Sequence, residues 1–127
     1  MQNIEISVVV PAFNEETVIA PTCIKLIETL CRISQSFEII VVDDGSSDRT
    51  ATLVRQISDE RGGIVKLVEL SRNFGKESAL AAGMKYATGA AVLFIDADMQ
   101  HPIELVPQMI EAWRRGSEVV NAVKRSR

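Results

Sequence analysis

The sequence predicts an α/β fold: a Rossmann-like, mostly parallel sheet with helices on both faces. Three observations predict it. Short apolar runs such as Val8-Val9-Val10 and Ile39-Ile40-Val41-Val42 are continuous rather than alternating, as expected of strands covered on both sides. These runs alternate with segments of helical periodicity along the whole chain. Polar loops recur directly after the runs, where open α/β sheets bind their ligands.

Taken in order, Ile6 to Val10 reads as the first strand, closed by Pro11. A loop through Asn14-Glu15-Glu16 leads to a helix with Pro21 in its first turn, where the missing N–H costs little. Ile24, Ile27, Leu30 and Ile33 are its expected apolar stripe. Phe37 to Val42 is the second strand, followed by the turn Asp43-Asp44-Gly45-Ser46-Ser47-Asp48. Ser46 or Ser47 is expected to cap a helix that turns Leu53, Val54 and Ile57 inward. Gly62-Gly63 breaks that helix, and Val65 to Leu70 is the third strand. Arg72-Asn73-Phe74-Gly75-Lys76 is a loop before a helix over Ser78 to Ala87, whose alanines and Gly83 would let it lie close to the sheet. Gly89 is expected to end that helix, and Ala91 to Ile95, the fourth strand, delivers Asp96 at its carboxyl end. Pro102 starts a helix carrying Leu105, Ile110 and Trp113, closed by Gly116, and Glu118 to Val123 reads as a fifth strand.

The totals bound the function. The 127 residues suffice for one domain with a core, and 46% hydrophobic with 24% charged is an ordinary globular balance. A net charge of -3 disfavours a nucleic-acid partner. Cys23 and Cys31 stand eight residues apart, roughly 12 Å along one helix, too far for a disulfide, and read as buried thiols in a reducing compartment. With no secretory leader and no apolar stretch long enough to span a bilayer, the chain is expected to be soluble and cytoplasmic.

Four loops converge on one sheet edge: 11–15, 43–47, 72–76 and 96–101. Asp96 and Asp98 are the sharpest pair, because residues i and i+2 after a strand end can aim both carboxylates at one point. Mg²⁺ and Mn²⁺ take oxygen ligands, often one or two carboxylates together with substrate phosphates. Gln100 could add a carbonyl oxygen or hold a metal-bound water. Equally, Asp98 and Gln100 could only shape a turn before Pro102. Asp43 and Asp44 offer acceptors for a ribose hydroxyl or a base N–H, and Glu15 could reach either, or serve an acidic first helical turn. Arg72 and Lys76 place cations near any diphosphate, or are solvated surface charges. His101, the only histidine, reads as a solvated loop residue. Missing are Gly-x-Gly-x-x-Gly after the first strand, a Gly-x-x-x-x-Gly-Lys-Ser/Thr loop, a Gly-x-Ser-x-Gly elbow and a Cys/His zinc cluster.

Taken together, Val8-Val9-Val10-Pro11-Ala12-Phe13-Asn14-Glu15, Val41-Val42-Asp43-Asp44-Gly45-Ser46-Ser47-Asp48 and Asp96-Ala97-Asp98-Met99-Gln100-His101-Pro102 resemble the inverting family-2 glycosyltransferases of the GT-A fold. Ser71-Arg72-Asn73-Phe74-Gly75-Lys76 and the Asp-Ala-Asp-x-Gln-His-Pro form look most like the polyprenyl-phosphate sugar transferases. That group includes the dolichol-phosphate mannose synthases and the bactoprenol glucosyltransferases. The resemblance implies that Pro11, Phe13, Glu15, Val42 and Asp44 bind the base and ribose, with Asp43 and Lys76 in the same nucleotide site. It implies that Asp96 and Asp98 are the catalytic acids and, with Gln100, hold Mg²⁺ or Mn²⁺ against the diphosphate of a nucleotide-sugar. Lys124 lies near a position where the family often has a phosphate-binding arginine.

The implied acceptor is a lipid phosphate; a saccharide acceptor is the alternative, and a non-catalytic nucleotide-sugar-binding module stays open. A complete domain of this kind continues into an acceptor-binding half, and many relatives then add transmembrane helices. Residues 1–127 are therefore expected to be the donor-binding part, truncated before that half, with membrane contact at the cytoplasmic face only through parts this chain lacks. Two other classes fit less well. A signalling receiver would carry its acidic pair after the first strand, not the second. A nucleotidyltransferase would show a Gly-rich basic loop where Ala12-Phe13-Asn14-Glu15 stands.

Overall fold

The computed structural model describes residues 3–97 and 103–116. Four strands, β1 (Ile6–Ala12), β2 (Phe37–Asp43), β3 (Val65–Glu69) and β4 (Ala91–Phe94), form one sheet in the order β3-β2-β1-β4. All three pairings are parallel, with Val8 opposite Ile39 and Leu93, and Ile39 opposite Val65. The helices are α1 (Ile19–Leu30), α2 (Thr50–Glu60), α3 (Lys76–Tyr86) and α4 (Val106–Arg114), with a 3₁₀ turn at Ile103–Leu105.

Strand residues alternate between two cores. Ile6, Val8, Val10, Ile39, Val41, Val65 and Leu93 face α1, α2 and α4, meeting Cys23, Leu26, Leu30, Val54, Ile57, Val106 and Ile110. Val9, Ile40 and Val42 face α3, the one helix on that side among the described residues, through Ala79 with Leu80 and Ala82 beside it. The expected helices on both faces are therefore present, and the α3 side is the thinner layer. Gly83 permits it: a Cβ there would stand 2.3 Å from Val9 Cγ1, so only glycine lets α3 sit this close. Beneath the far end of α3, the wholly buried Glu38 accepts from Ser7 Oγ (2.6 Å), Lys66 Nζ (2.6 Å) and both Thr88 N and Oγ1. Desolvation pushes its pKa up, but the donors from Lys66, Ser7 and Thr88 outweigh it and hold the group at about 2.

Several local expectations are corrected. β1 runs through Pro11 to Ala12, since proline needs only a place where no ladder N–H is required. The inward face of α1 is Ile19, Thr22, Cys23, Leu26, Ile27 and Leu30, and Ile24 stands at its margin. Cys23 is buried, its thiol pushed up to about 12 by desolvation, but Cys31, just past the end of α1, is exposed. Neither is disulfide-bonded. α2 is not capped by a serine: Asp48 Oδ1 accepts from Thr50 N (2.9 Å) and Thr50 Oγ1. α3 begins two residues early, at Lys76, and ends at Tyr86, three residues before Gly89. The Gly89 N–H instead donates to Ser7 Oγ (2.8 Å). Leu105 is 40% exposed, and Ile103, Val106 and Ile110 fill the core there. The expected fifth strand, Glu118 to Val123, lies outside the described residues. Among the described residues, no helix is long and apolar enough to cross a membrane.

Candidate active site at the sheet's switch point

The strand order creates the site. From β1 the chain winds outward through β2 to β3, then returns to lay β4 on the other side of β1. The helices that follow β1 and β4 pack on one face of the sheet and α3 on the other, so the loops after β1 and β4 and the start of α3 border a crevice beyond the carboxyl ends of the strands. A cleft of about 440 Å³ lies there. Its walls are Pro11, Ala12, Phe13 and Glu15 after β1, Asp44 after β2, Asn73, Gly75, Lys76 and Ala79 at the start of α3, and Asp96 and Ala97 after β4.

The first two loops are fastened to each other. Asn14, in the left-handed region at φ 54°, donates its N–H to Ser46 Oγ (2.8 Å) and accepts from Ser47 N through Oδ1 (2.9 Å). Glu15 N donates to Thr50 Oγ1 (2.9 Å), Glu16 N to Asp48 Oδ2 (3.2 Å) and Arg49 N to Glu16 Oε1 (2.9 Å). The serines expected to cap α2 are thus used across the gap, and Phe13 and Glu15 are presented by a braced loop. Phe13 is 44% exposed, an aromatic surface open to a ligand.

Asp44 organises the third loop. It is buried, and its Oδ1 accepts from Phe74 N (2.8 Å) while Oδ2 accepts from Gly75 N (3.0 Å) and Asn73 Nδ2 (3.2 Å). Three consecutive residues are held by one carboxylate, which fixes where α3 begins. Gly45, at φ 77°, completes the contact: a Cβ there would lie 2.4 Å from the Arg72 carbonyl carbon. Arg72 turns outward and stacks on Phe74, 4.3 Å from its ring centroid.

On the β4 side, Ile95 N still donates to Val9 O (3.0 Å), so Asp96 leaves the sheet in strand register. Its Oδ1 meets Lys76 Nζ at 2.6 Å. The buried Thr22 of α1 donates Oγ1 to Ala97 O (2.8 Å), pinning the turn that follows.

The structure thus brings together Pro11, Phe13, Glu15, Asp44, Lys76 and Asp96 from the expected set. It does not bring Val42 or Asp43 to the cleft. Val42 is wholly buried under α3, and Asp43 turns to accept from Ser46 N (3.1 Å). Asp98, Gln100, His101 and Lys124 lie outside the described residues. Among the described residues, no three His, Cys, Asp or Glu gather as a metal cluster, and Asp96 is the expected ligand that lies among them. Its partly exposed carboxylate at a strand end, already facing a positive head group, has the hard-oxygen chemistry a divalent cation needs. Asn73, Gly75 and Ala97 lie in the loops expected at this edge, whereas sequence reasoning missed Ala79 as a wall residue and Thr22 and Thr50 as supports, which act through contacts distant in sequence.

Comparison with known proteins fits this geometry. The chain is 45% identical over 99% of its length to an uncharacterized glycosyltransferase, YkcC, of Bacillus subtilis. It is 37% identical over 96% of its length to the undecaprenyl-phosphate 4-deoxy-4-formamido-L-arabinose transferase of Edwardsiella ictaluri. It spans 39% and 38% of those two proteins' lengths. Among solved structures, a mannosyltransferase of Pyrobaculum calidifontis in complex with GDP-Man and Mn²⁺ superposes with a TM-score of 0.72 at 26% identity, over 87% of this chain and 32% of that one. Glucosyl-3-phosphoglycerate synthase of Mycobacterium tuberculosis, with Mn²⁺, UDP and glucosyl-3-phosphoglycerate, gives 0.64 at 29%, over 87% of this chain and 39% of that one. The family model for glycosyl transferase family 2 matches residues 7–127, and the chain belongs to that family.

Proposed function

We propose that the protein transfers a sugar from a UDP- or GDP-sugar, with inversion, to a polyprenyl phosphate, and that this chain carries the donor site. The observation that carries the reading is the cleft beyond the strands' carboxyl ends, which the Lys76–Asp96 pair lines together with Glu15 and Phe13. The relatives named as undecaprenyl-phosphate transferases support the acceptor class, and the neighbours' GDP-Man, UDP and Mn²⁺ support the donor and cofactor.

In this reading Phe13 and Pro11 pack against the base, and Glu15 accepts from the base or ribose. Asp44 holds the 73–75 wall and keeps acceptor capacity facing the nucleoside, since each carboxylate oxygen has more than one lone pair. Asp96, with Asp98 and Gln100, supplies the oxygens for Mg²⁺ or Mn²⁺, and Lys76 donates to the diphosphate. When bound by these residues, a divalent cation would supply Lewis-acid stabilisation of the departing diphosphate. An acceptor oxygen forms the new bond at the anomeric carbon as the bond to the diphosphate oxygen breaks, and the electron pair leaves on the nucleoside diphosphate. A lipid phosphate is already largely anionic at neutral pH, with a second pKa of about 6 by analogy with phosphorylated side chains, so it needs no dedicated base.

The test is a thermal-shift panel of UDP- and GDP-sugars with and without Mn²⁺, followed by calorimetry on Asp98→Ala. The variant should lose Mn²⁺-dependent nucleotide binding and keep its fold; undiminished metal-dependent affinity would sink the metal assignment. Sugar transfer to undecaprenyl phosphate, and not to free saccharides, is the expected acceptor result.

A further inference from the structure

Lys76 is the first residue of α3, where the helix dipole disfavours a cation. Its side chain is 58% exposed, so burial does not account for its position either. What it does have is an anion: Asp96 Oδ1 at 2.6 Å, on a side chain only 18% exposed at the end of β4. The first turn of α3 lines the same cleft through Gly75, Lys76 and Ala79, so the positive end of the helix and the ammonium group lie beside one carboxylate. The loop before Lys76 is held by Asp44, so the backbone is fixed while the flexible four-carbon stem can redirect its head group.

We propose that Lys76 is the placeholder for the divalent cation at Asp96, and that it moves to the donor's diphosphate when metal and donor arrive together. The proposal rests on the reading of Asp96 as a metal ligand in a nucleotide-sugar site. One lysine then sets the binding order. Metal alone must displace an ammonium that has no better partner. Metal with a nucleoside diphosphate gives that ammonium a new anion, so the two ligands favour each other, and by linkage each raises the affinity of the other equally.

The test uses Lys76→Met, with Lys76→Gln as a second helix-compatible variant and Lys76→Arg as the charge-conserving one. Free Mn²⁺ is followed by electron paramagnetic resonance in titrations of Mn²⁺ alone, and UDP and GDP affinities by calorimetry with Mn²⁺ saturating. Lys76→Met and Lys76→Gln are expected to bind Mn²⁺ alone more tightly, by up to about fivefold, the ceiling for a largely exposed ion pair. The same variants should bind UDP or GDP with Mn²⁺ about tenfold more weakly, the loss of a charge-assisted hydrogen bond. Lys76→Arg should keep the weak affinity for metal alone. Adding Asp96→Asn must erase the gain in Mn²⁺ affinity. Unchanged or weakened Mn²⁺ binding in Lys76→Met, a gain that persists with Asp96→Asn, or intact nucleotide affinity each overturns the proposal. Failure of the underlying reading looks different: the unmodified protein itself would not bind UDP or GDP with Mn²⁺.

Discussion

Two buried carboxylates stand at opposite ends of the sheet, Glu38 at the start of β2 and Asp44 just after its end, and they are satisfied in different ways. Glu38 is held by Ser7 in the neighbouring strand, Lys66 in the next, and the Thr88 turn beneath α3. Asp44 is held by a loop: the Phe74 and Gly75 N–H groups and the Asn73 amide. Burial is nearly the same, 1% exposure against 4%. A carboxylate tied to strands stabilises the fold, whereas one tied to loop backbone determines where a ligand wall stands. The amino end of the sheet is a foundation, and the carboxyl end is an instrument.

The largest effect expected from breaking this contrast is Glu38→Leu. It leaves Ser7 and Thr88 without their acceptor and should cost about 2–3 kcal/mol, below the full cost of breaking a buried pair because Lys66 is half exposed. Urea denaturation measures the loss; the folded fraction should bind nucleotide as before. Asp44→Ala should reverse the pattern, with a stability loss of about 1–2 kcal/mol but a nucleotide affinity lowered at least about tenfold by loosening of the 73–75 wall. Equal damage to stability and binding in both variants would abolish the distinction. The third prediction is a pH dependence. Glu38 stands at about 2 in the folded chain against 4.5 ordinarily, so the unfolded chain binds the extra proton first. Its contribution should be complete above pH 4.5 and fade as pH falls toward about 2. In Glu38→Gln the slope of thermal midpoint against pH should shrink over that range, without vanishing, because the Arg114 guanidinium also holds Glu5 low. The smallest effect is Thr50→Val, which removes the hydroxyl that receives Glu15 N and should cost about 0.5–1.5 kcal/mol. A weakened nucleotide but unaltered Mn²⁺ affinity would place Thr50 on the nucleoside side.

The same division explains what could be read from sequence. The strands were legible because continuous apolar runs such as Val8 to Val10 must be covered on both faces, and the loops after them because polar residues cluster there. Gly83 was legible as a close approach. Val42 entered the expected site through the family resemblance, while strand alternation sends its side chain under α3. Ser46 was misread because a serine before a helix normally caps it, and nothing local says that Asn14 lies opposite. Glu38 gave no signal at all: its partners are 28 to 50 residues away, and only the register of three strands brings them together.

The hydrogen bond from Thr22 to the Ala97 carbonyl has a kinetic consequence. Glu15 O accepts from Val18 and Ile19 N, Thr22 N donates to Val18 O, and Thr22 Oγ1 reaches Ala97 O. About two helical turns therefore span from the Glu15 loop to the turn after Asp96. In hydrogen exchange the amides around 15–22 and 95–97 should open as one cooperative unit, with a shared protection that rises when either end is loaded.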